Sequence, residues 1–263
     1  MCGAVAVCDW RIRLTWLGHA TTLVELDGLR VLTDPLLGER AGPLIRTVPA
    51  PPASAAERLD AVLLSHLHLD HADLPSLARI GAATPVIAPR GAGSWLRKQG
   101  VADVRELAAG ESLSLGGVDV TATEALHDGH RRPFGARADP VGYVVSASSS
   151  VYFAGDTDLF PAMSDLAGSL DVALLPVAGW GRSLGPGHLD PARAAIAATL
   201  TAPRLAIPIH WGTLAPRPHL LRPRDPAAAP RRFAILVGRY APAVEVRVLE
   251  PGEATALPAA VPA

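Results

Sequence analysis

The sequence predicts an α/β protein in which strands dominate and the chemistry gathers at strand ends. Three observations predict it. Short apolar or alternating segments recur along the chain and are bounded by Gly, Pro and Asp. A few helical stretches with capping signals fall between them. Several of the apolar segments close on a metal-ligating residue, as at His66, His127, Asp156 and His210. In layered α/β folds, functional groups commonly project from strand ends into a crevice. The plan of the first half (strands, helix, strand ending in a polar residue) returns in the second half, without a sequence repeat of fixed period.

In order along the chain, residues 11–17, 21–26 and 29–33 read as strands, with Asp27-Gly28 as a tight hairpin signal between the last two. Asp34-Pro35 ends the third. The Pro/Gly/Ala-rich stretch 36–57 reads as a loop. Residues 61–65 form a short buried strand, and 73–80 a helix with Asp73 as N-cap. A strand over 86–88 and a helix over 92–99 ended by Gly100 follow, then strands over 104–107, 113–115 and 118–126. The polar segment 128–140 holds Arg131, Arg132 and Arg137. Segments 141–146 and 151–154 form a hairpin, and 172–177 is a buried strand. Pro191 begins a helix to residue 200 capped by Asp190, and the strand 205–209 ends in His210. Residues 231–240 read as helical, 244–249 as a final strand, and 258–263 as a disordered tail. No linker separates two units, so the expectation is one domain over 1–263.

Composition bounds the function. The chain has 263 residues, 49% of them apolar and 19% charged, enough to bury a large core. With 24 basic and 25 acidic residues the net charge is −1, which gives no global pull toward nucleic acid or anionic membrane. Lys98 is the only lysine. Cys2 and Cys8, the two cysteines, sit near the N-terminus and imply no disulfide framework. No apolar run approaches the roughly 20 residues that span a bilayer, and the N-terminal segment is a poor signal peptide. A cytoplasmic protein is the expectation.

The densest chemistry is Ser65-His66-Leu67-His68-Leu69-Asp70-His71. Imidazole nitrogen and carboxylate oxygen suit zinc, and also iron and manganese. In extended chain, residues i and i+2 point the same way, so His66 and His68 can converge on one ion. Asp70 and His71 follow where the chain turns and can face a neighbouring point. Few structural needs require three imidazoles this close. His127 closes the strand over 118–126, and His130, three residues on, is its rival. Asp156 follows Gly155 directly, with Asp158 as rival and alternative helix N-cap.

Taken in order, His-x-His-x-Asp-His, a distal histidine, Gly155-Asp156-Thr157 and a late strand-end histidine resemble the metallo-β-lactamase-fold hydrolases. The resemblance runs from about Leu14 to about Thr213. Within that superfamily, Trp16-Leu17-Gly18-His19-Ala20, Thr33-Asp34-Pro35 and His210-Trp211-Gly212-Thr213 resemble the branch holding the ascorbate-6-phosphate lactonases and the N-acyl-phosphatidylethanolamine phospholipases D. The resemblance implies a four-layer αββα sandwich with the site at one edge between two sheets. It implies that His66, His68 and His127 bind one metal, Asp70, His71 and His210 a second, and that Asp156 bridges them. Asp34 resembles an aspartate that orients a ligand histidine from behind, and His19 is a candidate for hydrogen bonding near the metals. Similar segments place a histidine such as His188 at the rim, to bind substrate or donate a proton.

Two divalent ions, most naturally Zn2+ with Mn2+ or Fe as alternatives, would share a bridging hydroxide that attacks a carbonyl or phosphorus. Asp70 would orient or deprotonate it. The expected substrate is a small-molecule lactone, ester or phosphodiester, with Arg131 and Arg182 as candidates to grip an anion. The glycine-rich segment 179–187 is a candidate rim loop. Two other readings stand beside this one: a nuclease of the same superfamily, against which the neutral charge argues, and a non-hydrolytic iron redox or sensor protein. A homo-oligomer is compatible with the sequence.

Overall fold

The computed structural model describes residues 10–131, 135–181, 184–216 and 225–258. Two seven-stranded mixed sheets lie face to face. The first contains β1 (Trp10–Gly18), β2 (Thr21–Leu26), β3 (Leu29–Thr33), β6 (Ala61–Leu63), β7 (Val86–Pro89), β8 (Val104–Leu107) and β17 (Ala254–Pro258), in the order β17-β1-β2-β3-β6-β7-β8. The second contains β9 (Ser112–Leu115), β10 (Val118–Glu124), β11 (Val141–Ser146), β12 (Ser150–Phe153), β13 (Val172–Pro176), β14 (Leu205–Ile209) and β16 (Glu245–Val246), in the order β16-β14-β13-β12-β11-β10-β9. A small three-stranded sheet joins β4 (Arg40–Ala41), β5 (Leu44–Arg46) and β15 (Leu214–Ala215).

The period-2 alternation of strand side chains separates the layers. In the first sheet, Val31, Ala61, Leu63 and Ile87 point into the space between the sheets. Their neighbours Leu32, Val62, Val86 and Ala88 point outward, where they pack with Leu77 of α1 (Leu74–Ile80) and Leu96 of α2 (Gly93–Lys98). Across the central layer lie Val120 and Ala122 of β10 and Tyr143 and Val145 of β11. On the far face of the second sheet, α3 (Pro191–Thr201) presents Ala194, Ala195, Ala197 and Ala198, and α4 (Ala228–Tyr240) presents Phe233 and Val237. The run of alanines lets α3 lie close to β13 and to α4. The layers therefore read helix, sheet, sheet, helix.

Local signals explain the helix starts. Asp73 accepts from the backbone N of Ser76, and Asp190 from those of Ala192 and Arg193, so both N-caps stand as expected. Asp27 and Gly28 both take positive φ, as a two-residue hairpin turn requires. Three expectations change. Residues 36–57 are not all loop, because β4 and β5 pair with each other and β5 also pairs with β15 far along the chain, a partner no local pattern reveals. The strand expected over 244–249 shrinks to Glu245–Val246. A further strand, Ala254–Pro258, closes the first sheet against β1, so Pro258 is ordered backbone rather than tail. Residues 259–263 lie outside the described residues, as do Cys2 and Cys8.

Candidate metal centre

The carboxyl ends of β1, β3, β6, β12 and β14 meet at one edge of the sandwich, and the loop after β10 reaches it from the other sheet. They deliver His19, Asp34, His66, Asp156, His210 and His127 in turn. The turns that do so are sharp. His19, Asp34 and His210 adopt φ of +52°, +30° and +63°, values that non-glycine residues seldom take and that cluster at functional sites. Neighbours hold these conformations. The backbone N–H of His210 donates to His19 O (2.8 Å), that of His19 to Thr213 Oγ1 (2.6 Å), and Trp16 Nε1 to His19 O (2.9 Å). Gly155 takes φ +60°, and a Cβ there would lie 2.5 Å from Ser65 Cβ. Only glycine lets the turn before Asp156 press against the histidine loop.

Two sets of nitrogens converge. His66 Nε2 lies 3.0 Å and His127 Nε2 3.1 Å from His68 Nδ1. Beside them, His71 Nε2 lies 3.2 Å from His210 Nε2 and 3.9 Å from Asp70 Oδ2. Asp156 sits between the sets, its Oδ2 being 3.3 Å from His71 Nε2 and 4.0 Å from His127 Nε2, and its Oδ1 3.2 Å from His210 Nε2. The seven residues expected from the sequence are thus brought together. His127 rather than His130 reaches the cluster; His130 instead forms a backbone bridge with Arg137. Asp158 turns away to pair with Arg193 and accepts from the backbone N of Leu159. It is not an N-cap, since the helical turn begins only at Pro161 behind Phe160.

Proton placement decides what such a cluster can do. His71 Nδ1 donates to Asp34 Oδ2 (2.6 Å), His127 Nδ1 to Gly187 O (2.8 Å) and His210 Nδ1 to Ala178 O (2.8 Å). Ser65 Oγ gives its one proton to Asp34 Oδ2 (2.5 Å), so it accepts from His66 Nδ1 (2.9 Å). In its neutral form each of these four imidazoles therefore spends its proton outward and turns a bare Nε2 lone pair inward. Asp156 Oδ1 is buried and accepts no hydrogen bond, although His210 Nε2 is close, because the His210 proton is already committed to Ala178. Converging lone pairs beside an unpaired buried carboxylate oxygen repel unless a cation lies among them. The residues fit one or two divalent ions with mixed nitrogen and oxygen donors.

The electrostatics agree. Burial, reinforced by His210, pushes His19 down to about 3, and burial with His127 brings His68 to about 4. Burial also lowers His66 and His127. His71 goes the other way, because Asp156, Asp70 and Asp34 outweigh its burial. Burial alone would raise Asp70 and Asp156, but the surrounding imidazoles hold both carboxyls below the ordinary range. At neutral pH the site presents carboxylates and, at His19, His66, His68 and His127, neutral imidazoles, the forms that bind metal, whereas His71 gives up its second proton when a cation takes its place.

Of the remaining candidates, His19 is buried and donates Nε2–H to Asp70 Oδ2 (3.0 Å), within ligand range of the second set. His188 stands at the rim with Nε2 3.5 Å from Asp156 Oδ2 and Nδ1 bound to Gly185 O and Pro186 O. Arg131 is corrected. It is buried, its Nη1 donates to Leu67 O (2.7 Å), Ala72 O (3.0 Å) and His68 O (3.3 Å), and its guanidinium lies over the Trp95 ring at 4.7 Å. It braces the histidine loop and has no donor aimed at substrate through that nitrogen. Arg182, Arg132 and His219 lie outside the described residues. Sequence reasoning missed Ser65, whose hydroxyl links Asp34 to His66, and Thr213; their positions beside the motif histidines were the available signal.

Residues 29–211 match the beta-lactamase superfamily domain. The chain is 36% identical, over 92% of its length and 98% of the relative's, to a protein of Methanopyrus kandleri described as a metal-dependent hydrolase. It is 32% identical, over 80% of its length and 67% of the relative's, to an N-acyl-phosphatidylethanolamine-hydrolyzing phospholipase D of Caenorhabditis elegans. It spans 61% of the length of an uncharacterized relative from Mycobacterium tuberculosis, also 32% identical. Among solved structures, a metallo hydrolase of Ignicoccus hospitalis superposes with a TM-score of 0.73 at 25% identity, covering 94% of this chain and 98% of that one.

Proposed function

The chain belongs to the beta-lactamase superfamily, and from that premise we propose that it is a hydrolase that uses two divalent metal ions to cleave a small-molecule ester, lactone or phosphodiester. The observation that carries the reading is the set of inward lone pairs around Asp156, in two groups that share that carboxylate. In this reading His66, His68 and His127 hold one ion, Asp70, His71 and His210 the other, and Asp156 contacts both. Bound there, the ions supply a hydroxide nucleophile at neutral pH and a Lewis acid for the developing oxyanion.

The chain's own residues do the rest. Asp34, Gly187 and Ala178 fix the ring orientation of three ligands by taking their outer protons. His19 occupies Asp70 Oδ2, which fixes the rotamer of that carboxylate and leaves Oδ1 to orient the attacking water. His188, on the solvent side of Asp156 and held by two carbonyls, is placed to give a proton to the leaving group. Zinc is the reading for the native metal, from the histidine-rich donor set.

The test is metal analysis of protein purified without added metal, followed by turnover of lactones, esters, phosphodiesters and phosphomonoesters with zinc and manganese separately. Two equivalents of metal and metal-dependent cleavage of one substrate class are expected. A single equivalent, or turnover that survives complete chelation, overturns the reading.

A further inference from the structure

A cavity of about 620 Å3 opens directly over Asp70, Asp156 and His210. That volume suits a ligand of ordinary small-molecule size, within the roughly 300–1,000 Å3 of known pockets. Its walls are apolar. Ala41 and Leu44 come from the small sheet, Leu69 from the ligand loop itself, Trp180 and Leu184 from the segment after β13, and Pro216 from beyond β15. Among the described lining residues there is no Lys or Arg, and the charged groups are those of the site itself. Leu69 stands 37% exposed between two metal-ligating residues, and Trp180 is 44% exposed at the rim. Large apolar side chains left open beside a polar centre mark a surface that something apolar covers.

From these walls we infer that the cavity takes an uncharged aliphatic or aryl part of the substrate, next to the bond that is cleaved. The inference rests on the hydrolase reading and narrows it. Arg131, the arginine that sequence position suggests for an anion, has its Nη1 committed to three backbone carbonyls. An apolar substituent instead gains from every methylene it buries. The small sheet contributes to this lining, because β4, β5 and β15 bring Ala41 and Leu44 up to face Trp180 and Leu184 across the cavity.

The experiment uses two homologous series on the full chain. γ-Lactones with alkyl side chains of increasing length are assayed for kcat/KM with zinc, and the matching lactams, as poor substrates, are titrated by calorimetry. Each added methylene should improve kcat/KM and lactam affinity about threefold to fourfold, the ratio that burial of one CH2 gives, until the cavity is filled. Leu184→Asp and Trp180→Ser, both at partly exposed positions, should cut that step below about 1.5-fold. No chain-length dependence overturns the inference. Stepwise lactam binding without turnover of any lactone, ester or phosphodiester supports the cavity and defeats the hydrolase reading. Turnover without the steps does the reverse.

Discussion

Replacing Asp34 by asparagine should disturb both metal sets through one buried atom pair. All three groups facing this carboxylate are donors: the Ser65 N–H at 2.7 Å from Oδ1, and the Ser65 hydroxyl and His71 Nδ1–H at 2.5 and 2.6 Å from Oδ2. An asparagine of the same shape keeps one acceptor and substitutes an NH2. With that NH2 at the Oδ2 position, it donates to Ser65 Oγ and to His71 Nδ1. His71 then carries its proton on Nε2, pointing inward. Ser65 turns its own proton to His66 Nδ1, and His66 moves its proton inward as well. One substitution therefore inverts a ligand in each set. Outer partners of metal-ligating histidines are worth roughly 10- to 100-fold in affinity, or about 1.4–2.7 kcal/mol, comparable with the about 1.5–3 kcal/mol of one hydrogen bond to a charged group. Competitive chelator titration should show both binding steps weakened by that factor in Asp34→Asn. Ser65→Ala removes only the His66 arm and should weaken one step. If Asp34→Asn binds both ions within twofold of wild type while keeping its circular dichroism, the proton relay described for this site is wrong.

Arg131→Met takes the guanidinium from Leu67 O and Ala72 O of the ligand loop, while His68 O keeps its backbone donors, and should lower unfolding free energy by about 2–4 kcal/mol in urea titrations; a loss under about 0.5 kcal/mol would return Arg131 to the surface. Asp70→Asn should retain measurable metal yet lose at least about 100-fold in kcat, and unchanged turnover at full occupancy refutes its role with the attacking water. The metal-free protein should weaken in acid. His19 and His68 have folded pKa values depressed to about 3 and about 4, so below about pH 6.5 the unfolded chain binds more protons. Stability then falls with pH, by up to about 1.4 kcal/mol per unit for His19 and less for the part-exposed His68, across about pH 6.5 to about 4. Thermal melts across that window at fixed ionic strength check the sign, and added zinc should shift the midpoint upward most above about pH 6.5, where protons no longer compete.

Much of this was legible in the sequence because its signals were local. His66 to His71 announce metal by residue type and spacing, Asp73 and Asp190 cap helices from one position away, and Asp27-Gly28 sets a hairpin by its own φ preferences. What stayed hidden depends on distant partners. The short β4–β5 hairpin becomes part of a sheet only when Leu214–Ala215 arrives beside β5, and Ala254–Pro258 is a strand only because β1 offers an open edge. Arg131 looked like a substrate residue because charge in a loop is ordinarily solvated; three inward carbonyls and the Trp95 face cannot be read from its neighbours. Asp158 misled for a similar reason, since Arg193 claims it from α3. His188 and His19 reach the site as their motif positions suggested.

The ligands that share the second set are far apart in time as well as in sequence. His71 and His210 are 139 residues apart, and at about 5–20 residues per second of synthesis the first waits on the order of ten seconds for the second. Within that interval His127 and Asp156 complete the first set, while Asp70 and His71 stand without His210 until its end. His210 arrives on the strand whose following turn also binds His19 through Thr213, so closing the sandwich edge and finishing the second set are the same event. Completion of the second set is thereby tied to the meeting of the two sheets.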